Sequence, residues 1–447
     1  MADAVASGVL ELYRRLPDEV RRCLRPLNLL DEGASFLSAP ARAVATTGTE
    51  MVRRLLQLRQ ARYVIRRLEG RDAQGGRPLV CLLALDDPSA RYWSRTLFAT
   101  PPAERTMGEV GALGVRQAAE RLAPLADLSL WQLPWPLSRL AGGQPLVPSS
   151  VPLWLDTGRP FEAIVTGGRS GRSSRKDDAR RVRRLGLSVR LGACARDLER
   201  FRCELYEPYG AQRFGDLFMR VPRHVFRHAS RAGWLLMLED RRRTVAGALL
   251  ERWGRDVRIL AFGVETDGPL ATGLLLEACY FHAIRFAVDA GVPRLSLGTV
   301  RPVLTDGVLR YKRKWGGVLG APHTWEAFLL RYRNTAAVRG ALGATPLILD
   351  RGRRGLAGLM GAGSPDVSAQ LAGLDTPGLT EIVCLTAAAG PVDARPASLV
   401  PTPAVWPPEA AVNASAALAP EALPVRHLLG RPPAADAELA PRPAHGD

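Results

Sequence analysis

At 447 residues and 47% hydrophobic content the chain exceeds what one core supports, so two domains plus extensions are expected. A formal charge of +17 predicts attraction to polyanions: nucleic acid, an anionic membrane surface or phosphate-bearing small molecules. The 6 cysteines are scattered, with no CxxC pair and no Cys/His cluster, so neither a zinc site nor a disulfide framework is indicated, and a reducing cytosol fits.

The opening residues, MADAVASGVLELYRRLPDEVRRC, carry acids early and no apolar core of signal-peptide length. No later run approaches the ~20 apolar residues of a membrane span, so a cytoplasmic protein is expected, with peripheral contact to an anionic membrane as an option. Residues 1–70 read as a helical N-terminal extension broken by Pro17, Pro26 and Pro40. Strands are expected over 77–87 and 91–99, separated by a DDPSA turn, then a helix over 107–123 and strands over 127–133 and 152–156. These make a first α/β unit, 71–166. The segment 167–190 is a basic Ser/Gly-rich loop running into a helix, with Asp177 and Asp178 where the helix dipole favours acids.

A second unit, 191–345, opens with helices over 195–209 and 216–229. Strands follow over 233–240, 244–253 and 257–265, then a helix over 271–291 stopped by Gly291, a buried strand over 293–298 and a last strand over 323–330. From about 345 periodicity is lost, and 346–447 reads as an Ala/Pro-rich, largely disordered tail.

Only three lysines occur, Lys176, Lys312 and Lys314, although Lys+Arg number 61. Two of them flank Arg313 in RPVLTDGVLRYKRKWGG (301–317). An ammonium is a compact charge whose donors reorient, whereas guanidinium is a planar fork suited to carboxylate or phosphate. On a helix, Val308, Tyr311, Lys312 and Trp315 lie together and Lys314 falls off that face.

That stretch, following AGVPRLSLGT, resembles the closing motif of the FemAB-like branch of the GNAT acyltransferases, a branch that includes acetyltransferases associated with bacterial cellulose and exopolysaccharide synthesis. RKDDARRVRRLGLSV (175–189) is similar to the arginine-rich helix between the two halves of those proteins, and EPYGAQRFG and GWLLMLEDRRRTVAGALLERWG match comparable text. The resemblance covers roughly 75–335. It implies an α/β chain of two tandem GNAT-like units, mixed and mainly antiparallel sheets flanked by helices. It also implies acyl transfer to an amine or hydroxyl, with acetyl-CoA or an aminoacyl-tRNA as donor and tRNA as partner in the second case.

One departure stands out. The phosphate-holding loop before the central helix, Arg/Gln-x-x-Gly-x-Gly/Ala in CoA-binding relatives, reads here ETDGPLATG. Gly268 and Gly273 are present, but so are Asp267, read equally as a helix cap, and Pro269.

Lys312 is the candidate for stabilising a tetrahedral oxyanion. Asp306 is either a proton acceptor or a helix cap in the TDG turn, and Tyr311 either a proton donor or a core residue. Cofactor candidates are Gly268, Gly273, Arg301 and Lys314. Arg175, Lys176, Arg180 and Arg181, within the densest cationic run, are candidates for holding a phosphate of donor or acceptor, against a solvated face. His224 and His228 have metal spacing without an acid to complete a site, His282 reads as a core histidine, and no metal is expected.

The reading is an acyltransferase acting on a sugar or envelope precursor. Its rivals are an aminoacyl-tRNA-dependent transferase and a non-catalytic assembly protein on the same scaffold.

Overall fold

The computed structural model describes residues 58–386 apart from 59, 135–136, 142–143, 168–174, 193, 219, 224, 227–228, 230–232, 323–325 and 363–366. The expected N-terminal extension up to 57, His224, His228 and everything beyond 386 lie outside the described residues.

In chain order, β1 (Arg62–Arg71) and β2 (Pro78–Ala84) are followed by α1 (Asp87–Leu97), β3 (Ala103–Gly111), α2 (Val115–Leu122) and β4 (Leu128–Pro134). Next come α3 (Leu137–Leu140), β5 (Leu146–Pro148), β6 (Val151–Asp156), α4 (Phe161–Thr166), α5 (Arg175–Leu185) and β7 (Ser188–Gly192). Helix α6 (Ala195–Arg200) passes through a π turn, Phe201–Tyr206, into α7 (Glu207–Phe214), ahead of β8 (Gly233–Asp240), β9 (Arg243–Trp253) and β10 (Asp256–Val264). Then follow α8 (Thr272–Asp289), β11 (Arg294–Val300), α9 (Gly307–Lys314), β12 (Val318–Leu319) and β13 (Glu326–Tyr332). The chain closes with α10 (Ala336–Ala344), β14 (Leu347–Asp350), β15 (Leu356–Gly361), α11 (Val367–Leu374) and β16 (Leu379–Leu385).

The fold is mixed α/β, with two mixed, mainly antiparallel sheets and flanking helices. The first runs β16-β15-β14-β5-β13-β4-β2-β1-β3 and belongs to a compact unit drawn from both ends of the described chain. Its central strands are apolar on both faces. In β2, Cys81 and Leu83 pack with Trp93 of α1 and Val338 of α10, while Leu82 and Ala84 pack with Val115 and Ala119 of α2. A sheet covered on both sides needs such an unbroken apolar run, which CLLAL supplies.

The second sheet runs β12-β6-β11-β10-β9-β8-β7. Strands β7 to β10 are antiparallel neighbours, and β11 returns parallel to β10 after α8. One face packs Phe201, Leu205 and Tyr206 of the π turn against Leu235, Met237, Leu249 and Ala261. This succession of helices, antiparallel strands, helix and parallel strand is the one the resemblance implied for this half.

Several expectations are corrected. Residues 91–99 are mostly helix, because the DDPSA turn is a helix start: Asp86 accepts from the Ser89 N–H at 2.8 Å and proline occupies the first turn. The helix expected from 107 begins at Val115, since 103–111 pairs with β1 as a strand whose Gly108 takes φ +140. Residues 62–70, expected to be helical, form β1. The helix expected over 216–229 shows helical residues only from Arg223 onward, after a short 3-10 turn at Gly215–Leu217.

The unit boundaries move as well. The strand at 151–156, assigned to the first unit, sits in the second sheet, whereas β13, assigned to the second unit, pairs with β4 of the first. Residues 347–385, assigned to the tail, supply three strands, with Leu347, Leu359 and Leu385 in the core. Among the described residues no helix is long and apolar enough to cross a membrane.

Candidate active site

The second unit carries a break in its sheet. On one edge β10 pairs with β9 along its length, interrupted by a bulge between Ile259 and Ala261. On the other it meets β11 only at Val257–Leu295 and Arg258–Ser296, beyond which the two parallel strands part. Parted strands turn backbone N–H and C=O groups toward each other with no ladder between them.

Lys312 reaches this opening. Gly298, at φ +79, lies where β11 leaves β10. A β-carbon added there would stand 3.3 Å from Lys312 Nζ and 3.6 Å from the Ile259 carbonyl oxygen. Helix α9 aims the lysine: Asp306 Oδ1 accepts from the Val308 and Leu309 N–H groups at 2.8 and 2.9 Å, fixing the helix start. Leu309, Lys312 and Trp315 then share the buried face, with Lys312 only 6% exposed. Holding an ammonium in such a place is costly unless surrounding groups meet it, so the lysine is a built feature of the opening.

The remaining candidates divide differently from expectation. Asp306 is the cap, and its position six residues before Lys312 puts it about 9 Å away along the helix. Tyr311 joins an aromatic cluster, edge-on to Tyr280 at 5.3 Å, while Tyr280 stacks on Trp315 and touches Phe262. Burial, opposed by the Trp315 indole, holds the Tyr311 hydroxyl proton far above its usual range, so it is a poor acid.

Lys314 is paired with Asp178 of α5, a carboxylate with no exposed surface. Asp178 also meets Arg181 at 2.5 Å, and Arg181 reaches Glu277 of α8 at 2.9 Å. Lys314 is therefore committed to joining helices.

The loop before α8 does not fit a pyrophosphate. Glu265 pairs with Arg243 through one oxygen, and its other, buried oxygen has no hydrogen-bond partner among the described residues and fills the space a side chain at Gly268 would need. An incoming phosphate would meet a carboxylate there. Asp267 is exposed rather than a cap, the N-cap position falling to Ala271, and Gly273 faces open space. Arg301 belongs to the other compact unit, where its guanidinium lies 4.7 Å from the Tyr92 ring centroid.

Helix α5 has two faces. Inward, Arg175 donates to the Ile164 carbonyl at 2.8 Å and lies against Gly316, with desolvation and Arg159 lowering its pKa. Hydrogen bonding to Glu277 raises that of Arg181. Outward, Lys176 and Arg180 line a surface concavity of about 400 Å³ together with Thr166, Arg183 and Arg184. The sequence reading missed the strand parting and Gly298. A glycine ending a buried strand was the available sign.

No family model matches the chain, and no curated protein does. Among solved structures it is similar to the C-terminal domain of a putative lysylphosphatidylglycerol synthetase from Agrobacterium fabrum, at 13% identity and a TM-score of 0.32, over 65% of this chain and 89% of that one. FemX gives 11% and 0.32, over 62% and 91%. A GCN5-related N-acetyltransferase from Kribbella flavida gives 12% and 0.28, over 79% and 77%.

Proposed function

We propose that the chain is an acyltransferase that moves an acetyl group from acetyl-CoA to an amine or hydroxyl of a sugar or sugar-derived envelope precursor. The observation that carries this reading is the parting of β10 from β11 with buried Lys312 at its origin. Facing strand edges suit an extended, amide-bearing arm, which lies between them as a short extra strand would. The arm of an acyl-CoA is such a chain.

In this mechanism the acceptor nitrogen or oxygen bonds to the acyl carbon, and the carbonyl oxygen becomes an oxyanion facing the Lys312 ammonium. Collapse breaks the bond to the donor sulfur, and the acceptor's proton passes through water to the leaving thiolate. Asp306 stays in its cap.

A second reading keeps the chemistry and changes the donor to aminoacyl-tRNA. The Glu265 carboxylate beneath Gly268 favours it, because an aminoacyl ester needs no pyrophosphate there. The outward cations of α5 offer a surface for a phosphodiester backbone.

The test measures thiol release from acetyl-CoA and transfer from charged tRNA, each with amino- and hydroxy-sugar acceptors. Lys312→Met is expected to lower turnover roughly 100- to 1000-fold, the usual loss for one oxyanion donor, with an unchanged melting temperature. Full activity in that variant would overturn the role of Lys312, and no transfer from either donor would overturn the proposal.

A further inference from the structure

The face of the second sheet beside the parted strands carries an aromatic surface that the chemistry above does not use. Trp253, at the end of β9, is 46% exposed, and its ring centroid lies 6.3 Å from that of Trp154 on β6. Each indole is covered by a guanidinium: Arg258 over Trp253 at 4.8 Å and Arg294 over Trp154 at 5.0 Å. Each guanidinium is tied down by a carboxylate, Arg258 by Glu251 and Arg294 by both oxygens of Asp256. Those two acids are buried, at 7% and 8% exposure.

Three properties follow. The rings are fixed, because two strands and two ion pairs set the guanidinium positions. The two guanidiniums that cover the rings are each neutralised by an acid. The surface also presents flat apolar faces beside polar edges that donate and accept hydrogen bonds. A nucleic acid would prefer a denser run of cations, such as Lys176, Arg180, Arg183 and Arg184 on the outer face of α5, where Arg180 and Arg183 are paired with Asp177 and Glu162. A neutral sugar ring matches this surface: its C–H face lies on an indole and its hydroxyls meet the guanidinium and carboxylate edges.

We infer that Trp154 and Trp253 form the docking platform for a neutral saccharide acceptor, delivering it to the transfer centre. The inference rests on the acyltransfer reading for its destination. Arg258 forms the last rung between β10 and β11 with Ser296, and the next residue, Ile259, turns its carbonyl toward Gly298. The platform residues thus lie at the joined end of β10 and β11, beside the rung beyond which the strands part toward Gly298.

The experiment titrates the full chain calorimetrically with cellohexaose, chitohexaose and a single-stranded oligothymidylate, at low and high salt. It uses the wild type, Trp253→Ala, Trp253→Phe and Lys312→Ala. At least one neutral hexamer is expected to bind at 1:1, insensitively to salt. Its affinity should fall roughly tenfold or more in Trp253→Ala, recover largely in Trp253→Phe and persist in Lys312→Ala. Thermal melts check that Trp253→Ala remains folded, as expected for a half-exposed ring. Binding of neither hexamer, hexamer binding unchanged in Trp253→Ala, or Trp253-dependent binding of the oligothymidylate alone would overturn the platform. Should no transfer occur from either donor while Trp253-dependent hexamer binding holds, the acyltransfer reading fails and the saccharide platform stands.

Discussion

The two lysines of YKRKW, two residues apart, answer different demands. Lys312 stands at the strand opening, whereas Lys314 neutralises Asp178 inside the second unit. Removing Lys314 leaves the fully buried Asp178 carboxylate with Arg181 as its remaining cation. Lys314→Met is expected to cost about 3 kcal/mol in denaturant unfolding, and Asp178→Asn in the same chain to restore much of it. Sparing recovery in the double variant would show that Lys314 acts elsewhere. His282 allows a second check. Burial, aided by Arg285, holds its pKa down to about 4, so the folded chain keeps it neutral. Between pH 6.5 and 4 the unfolded chain binds the proton and the folded one does not, so this contribution to stability is present above 6.5 and is lost as pH falls toward 4. His282→Gln is expected to flatten the decline in melting temperature across that window. An unaltered slope would place the pH dependence in other groups.

At the scale of elements, the hairpin joining β8 to β9 is strained at an unusual place. Its two loop residues, Arg241 and Arg242, both adopt positive φ, 49° and 69°, in a turn that ordinarily uses Asn-Gly. Replacing the pair by Asn-Gly is expected to stabilise the chain by about 1–2 kcal/mol, read as a higher denaturant midpoint at constant slope. A lower midpoint would mean that the arginine side chains hold the hairpin. The strands of this half were legible because each is a contiguous alternating or apolar run between turn residues, and the 18 residues of α8 kept helical spacing throughout. What failed was local. DDPSA reads equally as a turn or as a capped helix start, and only the packing of Trp93 and Leu97 against the sheet decides between them. In the site, Lys312 was legible through its rarity in an arginine-rich chain. The parting of β10 and β11 was not, because register between distant strands leaves no mark in either one.

At the scale of the whole molecule, the first compact unit is built from the two ends of the described chain, with β13 paired antiparallel to β4 across nearly 200 residues of intervening sequence. Long-range pairing of this kind was beyond the reach of a linear reading, which assigned 346 onward to a tail. Strand β14 pairs with both β5 and β15 and buries Leu347 and Leu349. Ending the chain after residue 345 is therefore expected to abolish cooperative unfolding of the first unit, seen as loss of its thermal transition. A retained transition would show that β14 to β16 are dispensable. The central claim, that the strand opening at Gly298 receives an acyl donor's arm, is tested most directly by calorimetric titration of the full chain and of Gly298→Val with acetyl-CoA, S-acetylpantetheine and charged tRNA. Because the Glu265 loop does not accept a pyrophosphate, acetyl-CoA and S-acetylpantetheine are expected to bind the wild type at 1:1 with affinities within about tenfold of each other, and both to be lost in Gly298→Val. Binding of none of the three donors, or undiminished binding in Gly298→Val, would contradict the account.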